Sequence, residues 1–220
     1  MLNAGETDQL SEWVGGAWAR RGRRLGDGDS VEPSSVLWLT VQPYFADIRQ
    51  FHGSSEHPDA LDASQAFSGS ISVADDEVTW SHDLDTTTRP PGHRDRADMV
   101  GTRDELVEIG ANYKERWQRV DHGQSLRAVA ELRTTTAGDR LAPTARVVLV
   151  DNMAIAIWED PQPGAALIEQ RELWVPTSFV GSPFEGDLTA LITAVADRAL
   201  LPTGWSAVDL EPPRSDAAAS

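Results

Sequence analysis

Short runs of Val, Ile, Leu, Trp and Thr recur along the chain at nearly regular spacing, each bounded by turn-forming residues, with almost no helical period between them. No other feature narrows the fold as far. The runs are Val36 to Ile48, Phe67 to Val73, Val78 to Leu84, Leu106 to Ile109, Tyr113 to Val120, Arg127 to Thr135, Ala145 to Val150, Ala154 to Trp158 and Leu167 to Val175. Between them stand Asp75-Asp76, Pro90-Pro91-Gly92, Gly110-Ala111-Asn112, Ala137-Gly138-Asp139, Asp151-Asn152 and Pro161 to Gly164. Strands joined by tight turns form an antiparallel meander rather than βαβ units. About ten strands in one sheet must curl, and closing the curl removes the exposed edges. The expectation is a mainly β chain, a single antiparallel β-barrel of about 8–10 strands over residues 1–210, with a short N-terminal helix and one C-terminal helix.

The leading helix is expected over Thr7 to Val14, where Leu10, Trp13 and Val14 fall at helical spacing before Gly15-Gly16 stops it. The second begins at Asp187, a capping residue, and Leu188, Leu191, Ile192, Val195, Ala196 and Ala199 share one face until Pro202. His52 to Ser64 and Thr86 to Asp98 read as polar loops, and the tail 211–220, with Pro212-Pro213, as disordered.

Composition removes whole classes of chemistry. The 220 residues contain no Cys, which excludes disulfides, a thiolate nucleophile and Cys-ligated metals. The longest apolar stretch, Met153 to Trp158, falls far short of a membrane helix, and Met1 to Leu10 lacks the regions of a signal peptide. A cytoplasmic protein with no membrane partner is expected. With 19 basic against 35 acidic residues the net charge is −16, which repels nucleic acid and favours neutral or cationic small molecules, or proteins, as partners. A homodimer is compatible with all of this.

A short leading helix, then Gly16-Ala17-Trp18 at the start of the first strand, a run of antiparallel strands and one helix near the C-terminus together resemble the lipocalin or calycin superfamily. The resemblance implies a barrel with a small-molecule cavity, a Trp (here Trp18) plugging the closed end, and a late Arg packed over it, for which Arg171 and Arg198 are the candidates. The chain is longer than the family's usual eight-stranded core. The resemblance carries over no catalytic residue.

Alternation places Val78, Trp80, His82 and Leu84 on one face of a strand, and Tyr113, Glu115, Trp117 and Arg119 on one face of another. Aimed inward, these describe a cavity with a few polar groups. Trp38, Trp80, Trp117 and Trp158 are the expected ligand-binding aromatics. If Trp18 points inward, period two sends Arg20 and Arg24 inward as well, where each needs an acidic partner or a ligand carboxylate. Asp47 and Arg49 share a face and are expected to pair across to a neighbouring strand, in a structural rather than a catalytic role. The first functional expectation is binding of a small apolar or aromatic molecule without a cofactor. The alternative is cofactor-independent acid–base chemistry of isomerase, cyclase or hydro-lyase type on a specialised metabolite. Glu115 would then be base or acid, His82 its counterpart, and Tyr113 a hydrogen-bond donor. The competing reading makes the Trp residues core packing, with His82 and Glu115 satisfying each other. No His-x-His or His-x-x-x-His occurs, so no metal site is expected, though haem on His82 or a loop His stays open.

Overall fold

The computed structural model describes residues 10, 13–52, 64–87, 89, 92–121, 126–135, 141–159 and 162–211. Eight strands close into an antiparallel barrel in which each pairs with its sequence neighbour and the last returns to the first. They are β1 (Gly16–Leu25), β2 (Ser34–Val41), β3 (Tyr44–Phe51), β4 (Gln65–Ala74), β5 (Glu77–Asp85), β6 (Arg94–Gly101), β7 (Glu105–Ile109) and β8 (Tyr113–Arg119). The mainly β character, the closed barrel and the helix near the C-terminus are as the sequence leads one to expect. The strands beyond β8 are not part of the barrel. β9 (Arg127–Thr135), β10 (Leu141–Val150), β11 (Met153–Trp158), β12 (Gly164–Gln170), β13 (Trp174–Gly181) and β14 (Trp205–Glu211) form a second, six-stranded sheet in the order β13-β12-β11-β10-β9-β14.

The second sheet is apolar on both faces because it is covered on both. Val129, Val148, Ile155 and Ile157 pack on the outer wall of the barrel at Leu39, Ala46, Ile48 and Leu84. The alternate residues Ala130, Val147, Ala156 and Trp158 face α1 (Leu188–Ala196), which contributes Leu188, Leu191, Ile192 and Val195. This explains why β11 reads as an unbroken apolar run. Asp187 caps α1 by accepting from Ala190 N at 2.9 Å, and the helix ends at Ala196, well before Pro202.

Several local expectations change. The polar segment Thr86 to Asp98 contains the start of β6, whose charged Arg94, Arg96 and Asp98 point outward while Ala97 and Met99 fill the barrel. Val36 to Ile48 is two strands, turned at Gln42-Pro43, and Leu167 to Val175 is split at Arg171 to Leu173. Glu211 belongs to β14, and residues 212–220 lie outside the described residues, as do 53–63 and most of the expected leading helix. Among the described residues no helix is long and apolar enough to cross a membrane.

One end of the barrel is shut by the Gly-x-Trp. Trp18 is fully buried, donates its indole N–H to Val14 O (3.1 Å) and stacks on Trp38. The arginine over it is neither Arg171 nor Arg198 but Arg119, from the last barrel strand, with its guanidinium 4.4 Å from the ring. Arg119 also donates to Gly15 O (2.9 Å) and Trp13 O (2.6 Å), tying the chain's entrance to the barrel's closing strand. Gly16 is required here: its φ is +131°, and a Cβ would collide with Arg119 and crowd Asp121.

Two β-bulges reset the alternation. Between Arg20 and Gly22 the β1–β8 register shifts, so Arg23, opposite Glu115, is buried and Arg24 is exposed, contrary to simple period two. On β5 the register shifts between His82 and Leu84, which leaves Val78, Trp80 and His82 on the inside and sends Leu84 out beneath the second sheet. Opposite the second bulge, Gly69 lies so close to β5 that a methyl group would strike the Ser81 carbonyl oxygen. Gly69→Ala is therefore expected to cost about 1–3 kcal/mol, seen as a lowered urea midpoint; an unchanged midpoint would mean that the two strands do not approach at this bulge.

Candidate functional site

Above the Trp18 plug, the inward residues of β2–β8 leave a cavity of about 150 Å³. Its apolar wall is Trp38, Trp80 and Trp117. Trp38 stands edge-on to the other two, with ring centroids 5.8 Å and 5.7 Å apart. Edge-to-face contacts of this kind hold the rings in fixed orientations. The Trp38 Nε1–H is buried and has no acceptor among the described residues.

The polar wall comes from β3, β7 and β8. Glu108 and Glu115 are direct cross-strand partners, both buried and both facing the cavity. Glu115 Oε1 accepts from Arg20 Nη1 at 2.6 Å, and Arg20 also holds Glu32 at 2.9 Å. Arg49 Nε donates to Asp47 Oδ1 at 2.8 Å. Glu108 has no such cation: Oε1 accepts from the Tyr113 hydroxyl (2.7 Å) and Oε2 from the Trp117 indole N–H (3.0 Å). Burial, followed by the nearby Glu115 carboxylate, pushes Glu108 up to about 8. Burial also raises Glu115, with Arg49 and Arg20 working against the shift. Tyr113 is raised by burial and by Glu108.

The mouth carries a second polar cluster. His82 is buried and stacked on Phe67, with Nδ1 3.1 Å from Asp85 Oδ2 and Nε2 3.1 Å from Asp95 Oδ2. Burial opposes its charge, but the two carboxylates prevail and its pKa is raised. For Asp95, burial is outweighed by the contacts to His82 and His93, and its pKa falls to about 2. Nδ1 of His82 is hydrogen-bonded to Asp85, whereas Nε2 lies near the Asp95 carboxylate without hydrogen-bond geometry. Among the described residues no group of three or more His, Asp or Glu has metal-binding geometry.

The residues singled out from sequence therefore divide. Trp38, Trp80, Trp117, Glu115 and Tyr113 line the cavity, and Arg20 lies behind Glu115 as its ion-pair partner. His82 does not meet Glu115; its partners are Asp85 and Asp95 at the mouth. Trp158 is not a cavity residue, because it lies on the second sheet, buried against Phe184 at 5.2 Å. Glu108 was overlooked, although period two from Leu106 puts it on the same inward face.

The raised carboxyl has a measurable consequence. In the unfolded chain a Glu ionises near 4.3, whereas folded Glu108 holds its proton to about 8. The native state binds the extra proton across that interval, so this group's contribution is fully present below about pH 4 and is lost as pH rises through 8. Glu108→Gln is expected to gain thermal stability on the wild type steadily from pH 4 to 8 and to keep a constant advantage above it. A difference independent of pH would show that Glu108 titrates normally.

Fold and site together define a closed antiparallel barrel with an aromatic and acidic interior, backed by a second sheet. No family model matches the chain, and no curated protein matches it. Among solved structures, the uncharacterized protein YLR301w of Saccharomyces cerevisiae is similar in fold, with a TM-score of 0.60 at 13% identity over 89% of this chain and 98% of that one.

Proposed function

We propose that the barrel binds a small aromatic or similarly sized apolar molecule in the cavity walled by Trp38, Trp80 and Trp117. The observation that carries this reading is the cavity itself: about 150 Å³ among the inward side chains of the barrel, with three indole rings on its wall. A void of that size takes roughly one benzene-sized ring, and preset indole walls order little further on binding. The Trp18–Arg119 closure supports reading the barrel as lipocalin-like.

Titration with single- and fused-ring probes such as phenol and indole tests this through Trp emission. Saturable quenching is expected, weakened about tenfold by Trp80→Leu, the equivalent of about 1.4 kcal/mol. Emission indifferent to the whole panel would reject the reading. A second reading, acid–base catalysis on the bound molecule, is favoured by Glu108, a protonated carboxyl near neutrality facing Glu115. It requires that a bound molecule be recovered chemically altered, whereas a carrier returns it unchanged.

A further inference from the structure

The carboxyl pair in the cavity has an unequal share of the arginines. Among the described residues the cluster holds four acids, Glu32, Asp47, Glu108 and Glu115, and three buried arginines, Arg20, Arg23 and Arg49. Three of the acids sit in ion pairs: Glu32 and Glu115 with Arg20, and Asp47 with Arg49. The acid left over is Glu108, whose contacts are a phenol and an indole, both neutral donors. It lines the cavity together with Trp80 and Trp117. Arg49, which also lines the cavity, lowers Glu108 by its charge but makes no ion pair with it; a buried carboxylate without a contacting cation is costly, and the faces of indole rings attract cations. One positive charge brought in by an occupant would satisfy both.

We propose that the occupant is a protonated amine on a single aromatic ring, its ring against the Trp wall and its ammonium on the Glu108 carboxylate. This inference rests on the small-molecule reading above and narrows it to a chemical class. The chain's net charge of −16 favours cations at long range. At the mouth, Arg89 and His82 are balanced by Asp85 and Asp95.

Ligand ammonium and carboxyl proton then exclude each other. The charged and titratable groups around Glu108 are Glu115 and Tyr113 on β8, Asp47 and Arg49 on β3, and Arg20 and Arg23 on β1; β6 offers the uncharged Met99. With Glu108 pushed up to about 8 by burial and by Glu115, the ionised form that the amine requires is the minor one at pH 6 and gains towards pH 8. Affinity for an amine that stays protonated should therefore rise at least tenfold from pH 6 to 8. Binding at pH 7 should release protons.

Calorimetry with benzylamine, benzyl alcohol and benzoate at pH 6, 7 and 8, in two buffers of different ionisation enthalpy, provides the test. Expected are benzylamine binding at least tenfold tighter than benzyl alcohol at pH 8, benzoate weakest, and proton release at pH 7 for benzylamine alone. In Glu108→Gln the amine should lose its advantage while benzyl alcohol binding persists. Benzyl alcohol or benzoate binding as tightly as the amine would overturn the inference, as would amine binding without proton release in the wild type. Failure of benzylamine in a protein whose emission still responds to neutral rings overturns this inference alone. Silence towards every probe removes the small-molecule reading with it.

Discussion

Trp18→Ala is expected to cost about 3–5 kcal/mol, the range for truncating a fully buried Trp, and to lower the thermal midpoint by roughly 6–20 °C for a chain of this size. The side chain removed is fully buried between Trp38 and the Arg119 guanidinium. Its loss opens the closed end of the barrel and leaves Arg119 without its aromatic seat. Arg119 holds the backbone of Trp13 and Gly15, so the damage should spread to the chain's entrance and not stop at the void. Trp18→Phe, which keeps a ring under Arg119, should lose much less. Equal losses for the two variants would show that the ring is not what closes this end.

Arg146→Ala should be comparably damaging, at about 3–5 kcal/mol, because it removes the buried cation of a buried carboxylate and leaves it only a half-exposed one. Arg146 projects from β10 of the second sheet and is 1% exposed. It donates from Nε to Glu131 Oε1 (2.7 Å), from Nη2 to Asp83 Oδ2 (2.8 Å) and from Nη1 to Ser68 Oγ (3.1 Å), with its guanidinium 5.0 Å from the Tyr44 ring centre. One side chain thus joins β9 and β10 to β3, β4 and β5 of the barrel. In its absence Glu131, wholly buried, keeps only Arg133. The pair Arg146→Met with Glu131→Leu should recover most of the loss, since replacing both charges by apolar groups removes the stranded one. A double variant no better than Arg146→Ala would mean that the contacts to the barrel, and not the Glu131 charge, dominate.

Much of the barrel interior was legible in the sequence, because alternation is a local property. Trp80 and His82 on β5, and Tyr113, Glu115 and Trp117 on β8, all point inward as period two requires. Alternation fails where the ladder gains a residue: Gly22 is the one local sign of the bulge in Arg20 to Arg24, nothing in His82 to Leu84 announces the other, and each exchanges inside for outside. Longer-range facts were beyond reach for another reason. Which strand closes the barrel depends on pairing between β1 and β8, about a hundred residues apart, so the arginine over Trp18 was sought too late in the chain. The sequence does not separate Trp158 from the barrel's tryptophans, because a strand buried on both faces looks the same whether it belongs to a barrel wall or to a covered sheet. Glu108 lay within reach of the same parity argument that found Glu115.

Native mass spectrometry of freshly purified protein, before and after incubation with saturating ring probes, measures the central claim most directly. The expected result is a non-covalent adduct of one small molecule per chain, released on collisional activation and absent or reduced in Trp80→Leu. A bare chain in every spectrum, as purified and after every probe, would contradict the account and leave the three Trp residues as barrel packing alone.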